Sequence, residues 1–582
     1  MKFKPQLRFA PVILSLYCFF WQAVAIAADV DPEAATGVAK KQRVDGQSFM
    51  VVSANPLASA AGAKMLEAGG SATDAAIAMQ LMLGLVEPQS SGIGGGLFML
   101  HYAGKTQQMQ TIDGRETAPK AAHPDWFVEH NKVMDWRRAY VGGKSVGSPG
   151  VIRALYQAHQ RWGKLPWARL FEPAIQTAEH GFVVSPRLAM LLDIYQDGGL
   201  SHFAASKTYF YPDGKALQAG HLLKNQPYAD ILRKIAKEGD AAFYQGDNAK
   251  ALVAAVNTAA VNPGKLSLDD LSGYQAVTRD PLCRSYRQYK VCGMAPPSSG
   301  SLAVLQILGM LEQFDMASLK PNSVQALHLF AQASRLAFAD RERFLADPAF
   351  SKVPVQGLLA ADYLRQRAAQ INVKRDAAVV TAGEPKGAEP LQSSKAVEFD
   401  NTSHLSVVDK DGNAVSMTTS IENAFGSGIL VNGYLLNNQL TDFSLDGQKD
   451  GFWVANRVEA GKRPRSSMAP MMVFNPKGEL LMLAGSPGGS RIIDYVAQAL
   501  VAMIDWQLDP QQAADLAKVT HRNDFLALEQ GTELENLLPA LRELGYEPKL
   551  VELNSGLHLI KKSADGWQGG ADPRREGQAI AK

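Results

Sequence analysis

The chain has 582 residues, of which 46% are hydrophobic and 20% charged, and its net charge is +2. This length and composition indicate a globular protein of two to four domains that can bury a large core. The near-neutral charge and the lack of a run of like charges give no reason to expect nucleic-acid binding.

The N-terminus has the pattern of a secretory signal peptide. Three basic residues precede residue 9, residues 9–21 are apolar, and an Ala-Ile-Ala cleavage motif occupies 25–27. The apolar run is short for a membrane span, although an uncleaved anchor is the alternative. We expect a signal peptide over residues 1–27, bacterial export to the periplasm, and no stable membrane span after cleavage.

In the part that follows, local signals predict two helices and a glycine-rich loop. Asn55 caps a helix that ends at residues 69–70, and Ser71 with Asp74 forms the capping box of a second helix. Residues 90–96 are rich in glycine and lead into a strand over 97–102. This loop lacks the lysine and the element order of a phosphate-binding loop, which indicates close backbone packing instead.

The middle of the chain, about residues 120–395, is predicted to be mostly helical. The clearest helices cover 301–312 and 324–345, whereas 376–394 has no helical periodicity and is predicted to be a flexible loop.

Two cysteines, Cys283 and Cys292, remain after signal removal, because Cys18 lies in the signal. Residues 284–291 alternate as in a hairpin, and a two-residue loop at 287–288 would place the cysteines opposite each other. A disulfide is expected in an oxidising compartment, with two free thiols as the alternative. A metal site is not expected from two cysteines at this spacing.

A hydroxyl residue heads a predicted strand at Thr402. Asp411 and Gly412 form a tight turn after it, and a two-residue loop there pairs 410 with 413. The returning strand then brings Ser420 to within about one residue of Thr402. The pair is either a nucleophile with its orienting partner or a hydroxyl-rich strand edge.

Seven short motifs are distributed along the chain, before and after Thr402. They are residues 94–98 (GGGLF), 113–116 (DGRE), 296–300 (PPSSG), 401–404 (NTSH), 435–443 (LLNNQLTDF), 462–468 (KRPRSSM) and 485–491 (GSPGGSR). As a set they closely resemble the gamma-glutamyltranspeptidase family, also called glutathione hydrolases, over nearly all of the mature chain.

The resemblance implies an α+β fold: a four-layer αββα sandwich of the N-terminal-nucleophile hydrolase type. Members cut themselves, which here implies cleavage between Asn401 and Thr402, a large subunit of residues 28–401 and a small catalytic subunit of 402–582. The two subunits would form a heterodimer. The new α-amine of Thr402, with a reference pKa of about 7.7–8.0, would be its general base.

The resemblance also assigns the site residues. Thr402 is the implied nucleophile, with Ser420 beside it, and the backbone of Gly488 and Gly489 forms the oxyanion hole. The implied substrate-binding residues are Arg115, Ser466 and Ser467 for the α-carboxylate, and Gln439, Asp442 and Glu422 for the α-ammonium.

The chain departs from the family pattern in three places. Glu422 stands where many bacterial members have asparagine, and Ser420 replaces a threonine. Residues 443–466 are shorter than in members with a full lid loop, so Phe452 and Trp453 form either a reduced aromatic lid or a surface contact.

The expected function is that of a γ-glutamyl hydrolase and transferase acting on glutathione and other γ-glutamyl amides. Water, amino acids or dipeptides would be the acceptors, and no cofactor is implied. An acylase of the cephalosporin or glutaryl type is the enzymatic alternative, which Glu422 leaves open. An unprocessed, non-enzymatic binding protein is the third hypothesis.

Overall fold

The computed structural model describes residues 1, 38–377, 379–394, 398 and 401–582. The predicted signal peptide therefore lies, apart from its first residue, outside the described residues. Within the described residues, no helix has the length and apolar character needed to cross a membrane.

Two seven-stranded antiparallel sheets form the centre of the fold. In spatial order, the first sheet consists of Gln578–Ala581, Met50–Ser53, Ser403–Val408, Ala414–Ser420, Gly96–Ala103, Gln108–Gly114 and Val277–Arg279. The second consists of Val44–Gly46, Gly566–Ala571, His558–Ser563, Leu480–Ala484, Met471–Phe474, Tyr289–Gly293 and Leu282–Tyr286.

The remaining strands form small sheets. These are Val128–Glu129 with Lys132–Val133, Phe182–Val183 with Leu222–Leu223, Leu430–Val431 with Tyr434–Leu435, Gln448–Lys449 with Phe452–Trp453, and the set Val519–Thr520, Ala527–Glu529 and Lys549–Val551.

Helices occupy much of the rest of the chain. They are Pro56–Glu67, Ala72–Val86, Trp136–Ala139, Val151–Trp162, Glu172–His180, Pro186–Ile194, Ala204–Phe210, Gln226–Glu238, Ala241–Tyr244, Gly246–Asn257, Leu268–Ser272, Gly300–Leu311, Val324–Phe344, Val355–Leu358, Ala361–Ala368, Ile492–Ile504, Pro510–Asp515 and Leu538–Glu543.

The two sheets pack against each other and are flanked by helices. Pro56–Glu67 and Ala72–Val86 contact the first sheet, and Gly300–Leu311, Ile492–Ile504 and Pro510–Asp515 contact the second. Gly300–Leu311 and Ile492–Ile504 are buried on every face, as expected for helices enclosed by a large core. The fold is α+β.

The helix signals read from the sequence are confirmed. The Asn55 side chain accepts the Leu57 N–H at 3.0 Å. Ser71 and Asp74 exchange both bonds of the capping box. These devices are local, so they are visible in the sequence before the tertiary fold is known.

The hairpin that begins at Thr402 differs from the prediction by one residue. Val408 pairs with Ala414, which leaves a five-residue loop instead of a two-residue loop at 411–412. The wider loop forms because the Asp409 carboxylate accepts the backbone N–H groups of Asp411 and Asn413, both at 2.9 Å. Continuing this register places Thr402 directly opposite Ser420.

The second predicted hairpin has the expected register, and Cys283 lies opposite Cys292. Their sulfurs are joined in a disulfide, and their Cα atoms lie 4.1 Å apart.

Candidate active site

A pocket of about 240 Å³ lies where the ends of the two sheets meet. Most of the residues that line it are ones that the sequence motifs single out. The lining consists of Arg115, Glu398, Thr402, Ser420, Glu422, Gln439, Asp442, Ser466, Ser467, Met468, Gly489 and Ile492.

Thr402 and Ser420 form a hydrogen-bonded chain at the bond that precedes Thr402. The Thr402 hydroxyl donates to Ser420 Oγ at 3.3 Å, and Ser420 Oγ donates to the Asn401 carbonyl at 3.0 Å. The backbone N–H of Glu422 donates to Ser420 Oγ at 2.8 Å. In this continuous chain, Ser420 therefore connects the candidate nucleophile with the carbonyl that it would attack.

The glycine-rich loop packs tightly below this pair, as the sequence predicts. Gly96 pairs with Ser420 across the first sheet. A Cβ atom on Gly95 would lie 2.2 Å from the Ser420 carbonyl oxygen. Any larger residue at Gly95 would displace the backbone that holds the Ser420 hydroxyl.

Arg115 and Asp442 form a buried ion pair in the pocket. Arg115 follows the strand Gln108–Gly114, and its guanidinium contacts the Asp442 carboxylate. The guanidinium also donates to the carbonyls of Pro464, at 3.2 Å, and Arg465, at 2.9 Å. Gln439 Nε2 donates to the same Asp442 oxygen at 2.8 Å, within one 3₁₀ turn. A fixed cation and a fixed anion thus lie side by side.

Burial changes the ionisation of two carboxyl groups in this region. It raises the pKa of Asp442 to about 6, although the Arg115 charge acts in the opposite direction. Burial also raises the pKa of Glu116 to about 8, again against the effect of Arg115. Glu116 lies 3.7 Å from the Arg115 guanidinium.

The two serines of the pocket are held differently. The Ser466 N–H donates to the Pro297 carbonyl at 3.0 Å, and the Met468 N–H donates to Ser466 Oγ at 3.2 Å. The Ser467 hydroxyl accepts from Arg341 at 2.7 Å and donates to the Glu398 carboxylate.

Glu422 lines the pocket in an uncommon backbone conformation. Its φ is +82°, a region that residues other than glycine, asparagine and aspartate rarely adopt. Its carboxylate accepts a hydrogen bond from Asn438 Nδ2.

Gly488 and Gly489 lie after the strand Leu480–Ala484 with φ values of +133° and +53°. The following α-helix begins at Ile492, after a 3₁₀ turn over Gly489–Arg491. Gly489 lines the pocket, whereas Gly488 lies just outside the lining.

Phe452 and Trp453 do not line the pocket of this uncut chain. They form one strand of a small hairpin and are about half exposed, at 52% and 45%. The Arg457 guanidinium lies 5.0 Å from the Trp453 ring centroid. In this state the pair is a surface feature next to the loop residue Gln392, which bridges to Val454.

Three pocket residues were not identified from the sequence: Glu398, Met468 and Ile492. Met468 is the last residue of the motif at 462–468, and Ile492 directly follows the motif at 485–491. Their positions next to these motifs are a local signal for both residues. Glu398 follows the predicted flexible loop, and no local pattern marks it.

The site places a threonine hydroxyl in one pocket with a buried cation–anion pair, an arrangement that suits nucleophilic acyl transfer. A sequence profile of the gamma-glutamyltranspeptidase family matches residues 58–582. The chain is 36% identical over 554 residues to the glutathione hydrolase proenzyme of Bacillus subtilis (strain 168), covering 93% of this chain and 92% of that protein. The chain belongs to the gamma-glutamyltranspeptidase family and is an enzyme of this kind.

Relatives whose names give another activity are also similar. The acylase ACY 1 proenzyme of Pseudomonas sp. (strain SE83) is 36% identical over 566 residues, covering 94% of this chain and 96% of that protein. The crystal structure of cephalosporin acylase from Bacillus halodurans superposes with a TM-score of 0.83 at 27% identity, covering 95% of this chain and 99% of that chain.

Proposed function

We propose that the chain is a proenzyme whose mature form cleaves glutathione and other γ-glutamyl amides. The observation that carries the proposal is the Arg115–Asp442 pair in the pocket of Thr402. A γ-glutamyl group ends in an α-amino acid, which carries one carboxylate and one ammonium. A guanidinium beside a carboxylate complements both charges at once.

The substrate would separate this pair and satisfy both of its members. Its α-carboxylate would bind Arg115, Ser466 and Ser467, and its α-ammonium would bind Asp442, with Gln439 and Glu422 beside it. The amine portion would extend outside the pocket.

Maturation would proceed by self-cleavage, as in N-terminal-nucleophile hydrolases with a four-layer αββα sandwich. The Thr402 hydroxyl attacks the Asn401 carbonyl, the acyl group moves from nitrogen to oxygen, and water hydrolyses the ester. Ser420 already donates to that carbonyl and would stabilise the developing negative charge. The products are residues 28–401, after signal removal, and residues 402–582, which remain together as a heterodimer.

Turnover would then be acyl transfer. The freed α-amine of Thr402 takes the hydroxyl proton, and Oγ attacks the γ-carbonyl. The backbone N–H groups of Gly488 and Gly489 would hold the oxyanion, and the amine leaves with a proton. Water, an amino acid or a dipeptide releases the glutamyl group from Thr402. No cofactor enters these steps.

An acylase acting on cephalosporin or glutaryl amides is the second candidate. Glu422 leaves it open, because this carboxylate replaces the asparagine that many bacterial members have on the ammonium side. The acylase relatives described above support the same alternative. A glutaryl group has no ammonium, however, and would offer Asp442 no positive charge.

We also propose that the enzyme is exported to the periplasm by the signal peptide over residues 1–27. The basic, apolar and small-residue regions of that segment support this location.

The deciding experiment compares purified processed enzyme on γ-glutamyl and glutaryl amides that share one leaving amine. We expect kcat/KM to be at least tenfold higher for the γ-glutamyl compound. A preference for the glutaryl amide would establish the acylase alternative. An intact, inactive chain on a denaturing gel would support the third hypothesis, an unprocessed binding protein.

A further inference from the structure

Glu398, three residues before Asn401, places its carboxylate in the pocket. The carboxylate forms an ion pair with Arg341 and accepts the Ser467 hydroxyl hydrogen bond. The Arg465 Nε atom lies 3.8 Å from it. In the precursor, Glu398 therefore accepts a hydrogen bond from Ser467, a residue that the proposed function assigns to substrate binding.

The two arginines around Glu398 are buried and need an anion. Arg341 is fixed by the hydroxyls of Ser299, at 2.8 Å, and Ser467, at 2.7 Å. Arg465 is fully buried, and its Nε and Nη2 atoms make no hydrogen bond within the described residues. A buried guanidinium whose charge is not neutralised is costly, so an anion is expected to remain at this position.

Glu398 meets this need as a carboxylate. Burial acts to raise its pKa, but the charges of Arg341 and Arg465 outweigh burial and lower the pKa. Its charge also acts on Arg115 and Asp442 across the pocket. Arg115 thus lines the pocket itself, and Arg341 and Arg465 lie behind the lining residue Glu398.

Cleavage would change what holds Glu398 in place. In the uncut chain, residue 398 is tied to Thr402 through Asn401, and Asn401 is held by the Ser420 hydroxyl. After cleavage, Glu398 would be three residues from a free chain end. A substrate carboxylate and Glu398 would compete for the same Ser467 hydroxyl.

We propose that Arg341, together with Arg465, forms part of the substrate's carboxylate subsite, and that Glu398 occupies this subsite until the chain is cut. This inference rests on the proposed function. Glu398 would then act as an internal substrate mimic, and Arg341 would determine specificity beyond the residues that the family motifs identify.

The test uses the uncut Thr402→Ala protein, with binding of L-glutamate measured by calorimetry. We expect Thr402→Ala/Glu398→Ala to bind L-glutamate at least tenfold more tightly than Thr402→Ala alone. 4-Aminobutyrate, which lacks the α-carboxylate, should show no such gain. Adding Arg341→Gln should abolish the gain, whereas Arg343→Gln, on the neighbouring surface, should retain it.

Glu384→Ala is the matched control, because Glu384 is an exposed glutamate in the loop that precedes Glu398 and is paired with Arg343. It should not change L-glutamate binding. If Glu398→Ala lowers folded yield, Glu398→Gln removes the charge at nearly constant size and should still increase affinity. Equal L-glutamate binding with and without Glu398, in folded protein, would show that Glu398 is only a tether and would overturn the proposal.

The failure of this inference can be distinguished from the failure of the proposed function. If the processed wild-type enzyme cleaves γ-glutamyl amides but the Glu398 variants gain no affinity, only the subsite inference is wrong. If the processed enzyme prefers glutaryl amides, the proposed function itself is wrong.

Discussion

Asp442 is the residue at which the two enzymatic hypotheses differ most. Its carboxylate is paired with Arg115 in the unliganded pocket and would face the α-ammonium of a γ-glutamyl substrate. A glutaryl substrate offers it no ammonium, and a missing hydrogen bond to a charged group costs roughly 1.5–3 kcal/mol.

We predict that Asp442→Asn lowers kcat/KM for γ-glutamyl amides by at least about tenfold, equivalent to one lost charged contact. Glutaryl amides should be favoured relatively, because the Arg115 charge is no longer neutralised. Steady-state kinetics on the two amides measure both effects. Glu422→Gln in the same background tests whether a second carboxylate compensates, and unchanged selectivity in both variants would show that the pocket assignment is wrong.

Glu116 gives a prediction for the pH dependence of stability. Burial raises its pKa in the folded protein from 4.5 to about 8. Between these values the unfolded chain binds fewer protons at this site than the folded protein, so the free energy of unfolding falls as the pH rises through the window.

Glu116→Gln should therefore stabilise the uncut Thr402→Ala protein at pH 8, by an amount on the order of a few kcal/mol, and have little effect near pH 4.5. Melting temperatures across this range provide the measurement. Glu384→Gln serves as the exposed control. An equal effect of Glu116→Gln at both ends of the range would contradict the ionisation argument.

The sequence motifs identified pocket residues such as Thr402 and Arg115 because each motif is a short, local pattern. Glu398 could not be found in this way. Its contact with Arg341 joins residues 57 positions apart, and it depends on the path of a loop that has no periodicity. The pairing of Arg115 with Asp442 likewise follows from no local pattern, because the two residues are 327 positions apart.

At the scale of elements, caps were predictable and turns were less so. The Ser71 capping box lies within one helical turn, whereas the loop after Val408 depends on which backbone groups the Asp409 side chain accepts. A dipeptide such as Asp-Gly favours a tight turn, but a preceding carboxylate can close a wider loop. The register of the hairpin at Thr402 was therefore one residue from the expected one.

The disulfide between Cys283 and Cys292 should stabilise the hairpin that carries it. Their separation of nine residues closes a short loop in the unfolded chain, worth roughly 2–3 kcal/mol in the chain-entropy account. Cys283→Ser/Cys292→Ala should lower the melting temperature without changing kcat/KM, because neither cysteine lines the pocket. Reductant should lower the wild-type melting temperature to the same value. Two alkylatable thiols in folded, non-reduced protein would contradict the bond.

At the scale of the molecule, processing is the central prediction. Thr402→Ala should leave one uncut and inactive chain on a denaturing gel. The wild-type protein should give two bands, one for the subunit that ends at residue 401 and one for the subunit that begins at residue 402. Thr402→Ser retains a hydroxyl and should still be cut, more slowly. Normal cleavage of the Thr402→Ala protein would make Ser403 the alternative nucleophile. That hydroxyl, however, contacts Ser91 at 3.0 Å and Glu87 at 3.2 Å, outside the pocket lining.

Each sheet contains strands from both sides of the 401/402 bond. In the first, Ser403–Val408 lies between Met50–Ser53 and Ala414–Ser420; in the second, Met471–Phe474 pairs with Tyr289–Gly293. Folding of the continuous chain closes these pairings within one molecule. After the cut, separated subunits would have to find each other and assemble both sheets together. The mature enzyme should therefore persist because it unfolds slowly. Its lifetime would be set by the unfolding rate of a structure that formed before the chain was cut, and not by an equilibrium between folded and separated subunits.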